Sequence, residues 1–529
     1  MPSPKNSPFA VVILGCLLAV SLRALAAAAP VELWNGRDFA GWSFHAEPGA
    51  KLDPASLWSV RAGAIHCTGV EKGYIRTAQE FADFHLRVES RWPEQAGNSG
   101  VFVRVGAADQ FWPRSFECQL KAGSAGDIIC MGGARTAEQP APTQRRVPRR
   151  GEMAELPPGG WNVYDIFCWK NTITVYVNGT LQNRITDCSE LRGAIALQSE
   201  GAPVEFRNVT VRPLAEPVAA VLPVAVTAQP GGAEVTLAGE RFTAWLSAGQ
   251  PRPLLYPLIG PGGVRMGRDF PLKTDTPDEP TDHPHHRSLW FAHGLVNGHD
   301  FWTEKRGAGR IETVAVERAE GGPAQGTLRT RNRWLTAAGA ETCADVRVLR
   351  FRGAADWRAV DYFIELQASA GPVVLGDTKE GTLAFRSHPH LQLAPEAKSG
   401  PREVYGHARN SEGIEGKAVW GKRARWVAFW GTVEGKSVGF AVLDHVANLR
   451  HPTPWMARDY GLVAANPFGL HELAGAPKGS GNWTIPAGGA LALGYRFLFF
   501  QGAPDFDAID AQWCAFSSES VTAALARPQ

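Results

Sequence analysis

Two stretches of the chain, residues 98–105 (NSGVFVRV) and 115–121 (SFECQLK), alternate between hydrophobic and polar side chains. A period of two residues predicts β-strands, with the two kinds of side chain on opposite faces. The expected apolar face carries Val101, Val103, Val105, Phe116, Cys118 and Leu120, and the expected polar face carries Arg104, Ser115, Glu117, Gln119 and Lys121. This polar face fits a site for a polar ligand, and it also fits the wetted side of an antiparallel sheet.

The same pattern continues from residue 31 to residue 213, where short apolar runs alternate with turn residues. An Asn-Gly pair at 178–179, between two apolar runs, predicts a tight hairpin, and helical periodicity is nearly absent. We therefore expect an all-β sandwich or jelly roll. Residues 214–223 (LAEPVAAVLP) are typical of a linker. A second β-rich region is expected over residues 224–516, and residues 505–525 are expected to form a helical C-terminal cover.

Length and composition narrow the class of protein. The 529 residues exceed one ordinary domain, so two or three are expected. A net charge of +2 argues against a dedicated nucleic-acid surface. The basic run 145–150 (RRVPRR) lies among Pro and Gln residues, as a solvated loop would. The 18 Trp residues, with 57 Gly and 38 Pro, suit short strands, many turns and aromatic platforms for a ligand.

Residues 1–29 have the pattern of a secretory signal, with Lys5, an apolar core at 9–22 and small residues that suit cleavage. Cys16 leaves a lipoprotein signal open as an alternative. No other stretch is long and apolar enough to span a membrane, so we expect a periplasmic or secreted protein. Seven cysteines remain after cleavage, and export permits disulfides. Their odd number leaves at least one free thiol, and the absence of a CxxC pair argues against a zinc–thiolate site.

A set of motifs runs through the first region in this order: LWNGRD (33–38), GW (41–42), NSG (98–100), Arg104, ECQL (117–120), WN (161–162), VNG (177–179), GAIALQ (193–198) and FRNV (206–209). This set resembles the 3-keto-disaccharide hydrolase domain family, and the resemblance covers residues 31–213. It implies a concanavalin-like jelly roll. It also implies cleavage of the glycosidic bond in oligosaccharides or other glycosides that carry a ketone at C3.

The chemistry of such a substrate indicates which residues to look for. A C3 ketone makes the hydrogen on C2 acidic, so a base can remove it, the C1 substituent can leave, and water addition completes a net hydrolysis. This route needs a base and donors for the enolate oxygen, rather than the two carboxylates of an ordinary glycosidase. The expected catalytic residues are Glu117 as base with Arg104 and Lys121 as donors, and the expected substrate-binding residues are Asn98, Gln119 and Gln198.

Each of these assignments has a structural alternative. Glu117 and Arg104 would also fit an ion pair across neighbouring strands, and the Asn-Ser-Gly run at 98–100 would fit a turn that enters a strand. The chain also departs from the family it resembles, which often has Asp at the position of Lys121 and His at the position of Ser199. A cation in place of an anion removes a potential metal ligand, so the substrate and any divalent metal stay open.

Histidines concentrate in the second region, where 11 of the 14 lie between His283 and His471. The candidate cleft residues there are His283, His285, His286, His293, Glu380, His388 and His390. Clustered His and carboxylate residues indicate a metal site, a metal-free acid–base or sugar-binding site, or a set of loop hydrogen bonds. Because the spacing matches no metal motif, no cofactor is assigned, and a divalent metal stays an alternative.

Two segments, DHPHHRSLWFAHG (282–294) and NPFG (466–469), resemble a second bacterial family with a methane oxygenase-like label, over about residues 235–515. The labelled activity is not expected, because methane oxygenation in a membrane needs spanning helices. The segments GDTKEG (376–381) and RSHPH (386–390) are similar to the galactose-mutarotase-like β-supersandwich, which implies a sugar cleft with a His and a carboxylate as acid and base. The sequence thus predicts an enzyme that cleaves 3-keto-glycosides. The alternative is an N-terminal carbohydrate-binding module with mutarotase-like or metal-dependent catalysis in the C-terminal region.

Overall fold

The computed structural model describes residues 30–107, 110–215, 222–277, 279–393 and 405–527. Over these residues the protein is almost entirely β, and its strands form two successive two-sheet sandwiches. The expected all-β class is confirmed. The expected signal at 1–29 and most of the expected linker at 214–223 lie outside the described residues.

The first sandwich consists of fifteen strands in the described part of the chain: β1 (Val31–Glu32), β2 (Trp42–Ala46), β3 (Trp58–Arg61), β4 (Ala64–Cys67), β5 (Gly73–Thr77), β6 (Phe84–Arg91), β7 (Gly100–Val105), β8 (Ser115–Gln119), β9 (Ile128–Met131), β10 (Arg146–Val147), β11 (Asn162–Trp169), β12 (Thr172–Val177), β13 (Thr180–Ile185), β14 (Ala194–Ser199) and β15 (Val204–Pro213). Sheet 1 has the order β13-β12-β11-β6-β15-β4-β3, with β1 beside β15. Sheet 2 has the order β10-β9-β8-β7-β14-β5-β2. The apolar faces of the two sheets share one core, which includes Val101, Phe116 and Ile166.

The second sandwich contains the strands β16 (Val224–Gln229), β17 (Gly232–Leu237), β18 (Glu240–Leu246), β19 (Leu254–Leu255), β20 (Leu289–His293), β21 (Arg310–Glu320), β22 (Gly326–Leu335), β23 (Glu341–Gly353), β24 (Trp357–Gln367), β25 (Val373–Leu375), β26 (Gly381–Arg386), β27 (His407–Asn410), β28 (Trp426–Val433), β29 (Lys436–Asp444), β30 (Trp455–Ala457), β31 (Leu462–Ala465), β32 (Trp483–Ile485) and β33 (Ala490–Gln501). Sheet 3 has the order β16-β17-β18-β19-β20-β26-β31-β30, and sheet 4 the order β21-β22-β23-β24-β33-β29-β28-β27. Strands β25 and β32 form a separate pair. Phe385 of sheet 3 packs edge-on against Phe440 of sheet 4 in the core between them.

The α-helices of the described residues lie towards the end of the chain, as α1 (Leu470–Ala474), α2 (Phe506–Ser517) and α3 (Val521–Leu525). Single 3-10 turns occur at Pro54–Leu57, Pro261–Gly263, Pro389–Leu391 and Gly416–Val419. Helix α2 begins at the cap Asp505, whose side chain accepts from two backbone N–H groups of the first turn. It contacts β11 of sheet 1 and β29 of sheet 4, so the helix lies between the two sandwiches.

The surface between the sandwiches contains a buried aromatic cluster. Phe167 and Tyr176 on the outer face of sheet 1 pack edge-on against Trp513 of α2, with ring centroids 5.3 and 6.1 Å apart. Trp426 of β28 belongs to the same cluster, and its indole N–H donates to Asp510 of α2. The predicted helical cover therefore reaches both sandwiches and not the second alone.

No helix in the described part of the chain is long and apolar enough to cross a membrane. The described cysteines, Cys67, Cys118, Cys130, Cys168, Cys188, Cys343 and Cys514, are all buried, and none of them forms a disulfide. Burial raises the pKa of the Cys67 thiol to about 11. These cysteines act as small apolar core residues.

A β-bulge in β7 overturns part of the expected alternation. Ala194 of β14 pairs with Val105 and Ala196 pairs with Phe102, so two residues of β7 face one residue of β14. Arg104 lies in this bulge with a φ of +55°. The extra residue reverses the direction of the side chains after Val103. Val105 therefore joins the outer cluster of sheet 2 instead of the core.

Candidate functional site

On the outer face of sheet 2, two amide side chains lie in one row that crosses four neighbouring strands. Gln119 of β8 lies opposite Gly100 of β7, and Gln198 of β14 lies opposite Tyr74 of β5. A second row places Glu117 of β8 opposite Phe102 of β7. We call the polar group Asn98, Glu117, Gln119, Gln198 and Glu200 the acceptor face.

Glu117 is the most unusual member of the acceptor face, because its carboxyl is nearly buried, with 4% of the residue exposed. It lies over Gly100, where a Cβ atom would come within 2.5 Å of Glu117 Oε1. That oxygen has no hydrogen-bond partner among the described residues. Burial raises the pKa of Glu117 to about 8, and the Glu200 carboxylate adds to the increase, whereas Arg145 and a hydrogen bond with Gln119 oppose it.

Two amides of the acceptor face are held by one carboxylate. Asn98 Nδ2 and Gln198 Nε2 both donate to Glu200 Oε2, at 2.9 and 3.0 Å. Their carbonyl oxygens, Asn98 Oδ1 and Gln198 Oε1, are buried and have no donor within the described residues. Together with Glu117 Oε1, these atoms make three buried acceptors that lack a donor. Buried polar atoms in folded proteins almost always have partners, so the three oxygens indicate a site for a ligand that donates hydrogen bonds.

An aromatic wall borders the acceptor face. Tyr74 stacks on His45, with ring centroids 4.6 Å apart, and Trp112 packs edge-on against Phe102 at 5.7 Å. Phe111 lies against Trp112 at 4.3 Å. Aromatic faces beside hydrogen-bonding groups suit a ligand with both apolar C–H faces and polar edges.

One of the predicted catalytic residues, Arg104, does not lie where the alternation put it. Arg104 is fully buried, and its guanidinium donates to the carbonyl oxygen of Glu190 at 3.0 Å, which is a structural contact. The prediction that Arg104 shares the polar face with Glu117 is wrong, because the bulge turns its side chain inward. The structural alternative, a Glu117–Arg104 pair across neighbouring strands, does not hold either, since Phe102 is the residue opposite Glu117. Lys121 is exposed just after β8, and its backbone N–H donates to Gln119 Oε1.

The second cluster of candidate residues is a loop before β20, residues 282–286, which we call the imidazole loop. Two buried arginines bind its backbone. Arg268 donates to the carbonyl oxygens of Asp282 at 2.9 Å and His283 at 3.0 Å, and Arg252 donates to that of His285. Neither arginine was among the predicted residues, because each is distant in sequence from the loop that it binds.

Three of the predicted histidines come together in the imidazole loop. His283 is parallel to His286, with ring centroids 4.8 Å apart, and His285 packs edge-on against His286 at 4.3 Å. Burial and the nearby Arg252 lower the pKa of His285 to about 4, and burial lowers that of His286 well below its ordinary value. The two rings are therefore neutral near pH 7.

His283 differs from its neighbours because its side chain is 40% exposed and its Nδ1 is hydrogen-bonded to the Asp282 carboxylate. Its backbone has a φ of +43°, a conformation that non-glycine residues seldom adopt. Burial would raise the pKa of Asp282, but the hydrogen bond with His283 and the charges of Arg386 and Arg268 lower it. An ionised Asp282 fixes the proton of His283 on Nδ1 and leaves Nε2 as a base.

The remaining predicted residues of the second sandwich lie outside the imidazole loop. His293 is fully buried at the end of β20, where its Nε2 is hydrogen-bonded to the carbonyl oxygen of Gly376 at 2.8 Å. Glu380 lies 3.7 Å from Lys379 Nζ, and burial raises its pKa. His388 and His390 contact each other edge-on at 5.1 Å, and His388 caps the 3-10 turn that contains His390.

A metal site was one of the alternatives left by the sequence. Among the described residues, no group of three or more His, Cys, Asp or Glu side chains is arranged to hold a metal ion. We therefore derive no step through a metal.

Comparison with known proteins assigns the second sandwich to a family. Residues 232–514, more than half of the chain, match the model of a family of unknown function, DUF6807. The chain belongs to this family. The methane oxygenase-like label of the sequence-based resemblance is not part of this match. Residues 29–212 match the 3-keto-alpha-glucoside-1,2-lyase-like domain, which lies N-terminal to the DUF6807 region.

Curated proteins and solved structures add less. No curated protein matches the chain. A protein from Parabacteroides distasonis ATCC 8503 assigned to the glycosyl hydrolases is 19% identical and covers 35% of this chain and 94% of its own, with a TM-score of 0.27. Carbohydrate binding module CBM66 from Bacillus subtilis is 11% identical over 32% of this chain and 95% of its own, with a TM-score of 0.26. The Bacillus licheniformis beta-glucanase is 12% identical over 36% and 98%, with a TM-score of 0.25. These TM-scores carry no argument about function.

Proposed function

We propose that the protein is an exported carbohydrate-active enzyme that cleaves the glycosidic bond of 3-keto-glycosides, with Glu117 as the base. The observation that carries the proposal is the buried carboxyl of Glu117, whose free Oε1 shares the acceptor face with the donor-less oxygens of Asn98 and Gln198 in the described part of the chain. A sugar supplies hydroxyl donors in a row and can satisfy all three oxygens. The lyase-like match over residues 29–212 supports the same class of reaction.

The proposed reaction begins when the Glu117 carboxylate takes the proton from C2 of the keto sugar. The electrons of the C–H bond move towards the C3 carbonyl and form an enolate. The enolate then expels the C1 substituent, the C1–O bond breaks, and the leaving oxygen takes a proton from solvent. Water adds to C1 while a proton returns to C2, which completes a net hydrolysis.

Two cations beside the acceptor face replace Arg104 as candidates to stabilise the enolate. The charge of Arg145 acts on the Glu117 carboxyl, and Lys72 Nζ lies 3.7 Å from Glu200 Oε1. Both belong to exposed or half-exposed side chains that can approach a bound ligand. Their role is to offset negative charge as it develops on the sugar.

A substitution of Glu117 by Gln tests the proposal in the intact chain. The amide keeps the shape of the side chain but cannot accept a proton, so we expect kcat on a methyl 3-keto-glucoside to fall by about 10²- to 10⁴-fold. For the wild type, kcat/KM should rise with pH and level off above about pH 8, because the base form of Glu117 accumulates through that range. Glu94→Gln, at an exposed position of the same sandwich, is the matched control and should behave as wild type.

The fate of the C2 hydrogen separates this route from ordinary hydrolysis. In D₂O the released sugar should carry deuterium at C2, detectable by NMR, and a reaction without enzyme corrects for spontaneous exchange. A product that keeps its C2 hydrogen, or full activity in Glu117→Gln, would rule the proposal out.

A second candidate function places catalysis in the imidazole loop and leaves sheet 2 as a carbohydrate-binding surface. The observation that favours it is the exposed His283 with its proton fixed by Asp282. His283→Asn keeps a side-chain nitrogen near Asp282 and removes the base at Nε2. If the second candidate is right, His283→Asn abolishes turnover while Glu117→Gln only weakens sugar binding. If the first candidate is right, Glu117→Gln loses turnover and His283→Asn does not.

A further inference from the structure

Glu200 lies just after β14, beyond the last residue of the predicted polar pattern. Its backbone forms an isolated bridge with Asn98, and it follows Gln198 by two residues, so both side chains occupy the same side of sheet 2. One carboxylate oxygen receives the N–H donors of both amides, and the other lies 3.7 Å from Lys72 Nζ. Each of these three contacts is with a donor or a cation.

This arrangement determines which way the two amides point. A side-chain amide has donors on nitrogen and an acceptor on oxygen, and a carboxylate can only accept. Because both nitrogens of the pair Asn98 and Gln198 face Glu200, both oxygens face away from it. Those two oxygens are the buried atoms that have no donor among the described residues.

We propose that Glu200 is a positioning residue that holds the Asn98 and Gln198 amides with their oxygens towards the ligand, so that the acceptor face selects a sugar by its free hydroxyl groups. This inference rests on the proposed function, and it narrows the substrate class to glycosides whose ring hydroxyls are unblocked. A hydroxyl replaced by an ether has no hydrogen to donate. It would leave a buried oxygen of the acceptor face unpaired, which sites of this kind reject strongly.

The same carboxylate acts on the base. The charged and titratable groups that bear on Glu117 are Glu200 beyond β14, Arg145 before β10, and Lys72 before β5 through its contact with Glu200. The neighbouring positions on β7 and β9 are Gly100, Phe102 and Ile129, which do not titrate. Replacing Glu200 by a neutral residue removes a negative charge near Glu117 and should make Glu117 easier to ionise.

Glu200→Gln tests the inference, with Glu94→Gln as the matched control. The probes are methyl 3-keto-glucoside and its 4-O-methyl and 6-O-methyl ethers. Wild type should prefer the free sugar over at least one ether by about 100-fold in kcat/KM. In Glu200→Gln we expect that preference to fall at least about 10-fold, mainly through a higher KM for the free sugar. The amide introduced at position 200 can donate as well as accept, so it no longer fixes the orientation of the Asn98 and Gln198 amides.

A readout that does not depend on turnover completes the test. In protein labelled with ¹³C at the Glu carboxyl carbons, the NMR titration midpoint of Glu117 should move to lower pH in Glu200→Gln and stay unchanged in Glu94→Gln. The side-chain NH₂ signals of Asn98 and Gln198 should shift in Glu200→Gln only. A purely structural role would lower the melting temperature and leave the preference for the free sugar over its ethers unchanged.

The outcomes separate the two proposals. If wild type turns over none of the keto sugars but the Glu117 midpoint and the two amide signals move as expected, the positioning role stands and the proposed function fails. If turnover depends on Glu117 but Glu200→Gln leaves the ether preference, the midpoint and the amide signals unchanged, the positioning role is overturned.

Discussion

At the scale of single residues, Gly100 decides where the base of the acceptor face can lie. Its missing Cβ leaves the space that the Glu117 carboxyl occupies, with Oε1 at 2.5 Å and Cγ at 2.6 Å from the point where that atom would be. Glycine is not needed for its backbone here, because Gly100 does not have a positive φ. The close approach of a side chain is therefore the reason for glycine at this position.

Gly100→Ala should accordingly impair the site more than the fold. The Glu117 side chain is flexible enough to move aside, so we expect a loss of stability of about 1 kcal/mol or less, whereas displacing the carboxyl by about 1 Å should lower kcat/KM by about 100-fold. Gly106→Ala is the matched control, since a Cβ there would meet its nearest atom at 3.4 Å. Equal activity of the two variants, with equal melting temperatures, would contradict this role of Gly100.

The residues of the acceptor face differ in how visible they are in the sequence. Glu117 and Gln119 are predictable because alternation in a regular strand places them on one face, and the structure keeps that alternation in β8. Glu200 follows Gln198 by two residues and continues the same period of two just beyond the end of β14. The sequence predicts a solvated loop around Arg145, and only the fold brings that loop to Glu117.

At the scale of elements, the bulge in β7 shows where sequence alternation stops being informative. Val101 and Val103 face the core as expected, but the single extra residue inverts Arg104 and Val105. The inserted residue has no side-chain signature, since Arg104 is not one of the residue types that favour a positive φ. A period-two pattern alone cannot reveal a bulge, because the pattern on either side of it looks regular.

The arrangement of the imidazole loop also cannot be predicted from the sequence pattern, for a different reason. Its histidines are recognisable by composition, but their arrangement depends on Arg252 and Arg268, which bind loop carbonyl groups from outside the loop. Backbone hydrogen bonds of this kind leave no periodic trace in a sequence. The sequence therefore predicts that histidines cluster, and the fold determines that His283 alone is both exposed and paired with a carboxylate.

At the scale of the whole molecule, a network of buried charges joins the two sandwiches. Arg425 of the second sandwich lies 3.5 Å from Asp510 of α2 and 3.2 Å from Glu412, and its guanidinium lies over the ring of Phe167 in the first sandwich at 4.6 Å. Asp510 is also near His85 of the first sandwich, at 3.8 Å. Arg425 thus contacts two carboxylates and an aromatic ring that belong to different parts of the chain.

Arg425→Met should reveal whether the two sandwiches unfold together. The variant removes the cation but leaves Asp510 and Glu412 in place, and breaking a buried pair in this way costs about 3–5 kcal/mol. Because the network spans the junction, we expect urea unfolding followed by Trp fluorescence and by hydrogen exchange to show both sandwiches destabilised in one transition. Arg318→Met is the matched control: Arg318 pairs with the exposed Glu320 at 2.6 Å, and the substitution should cost about 1 kcal/mol or less. A transition of the first sandwich that is unchanged in Arg425→Met would show that the sandwiches are independent, and the acceptor face could then be studied without the DUF6807 region.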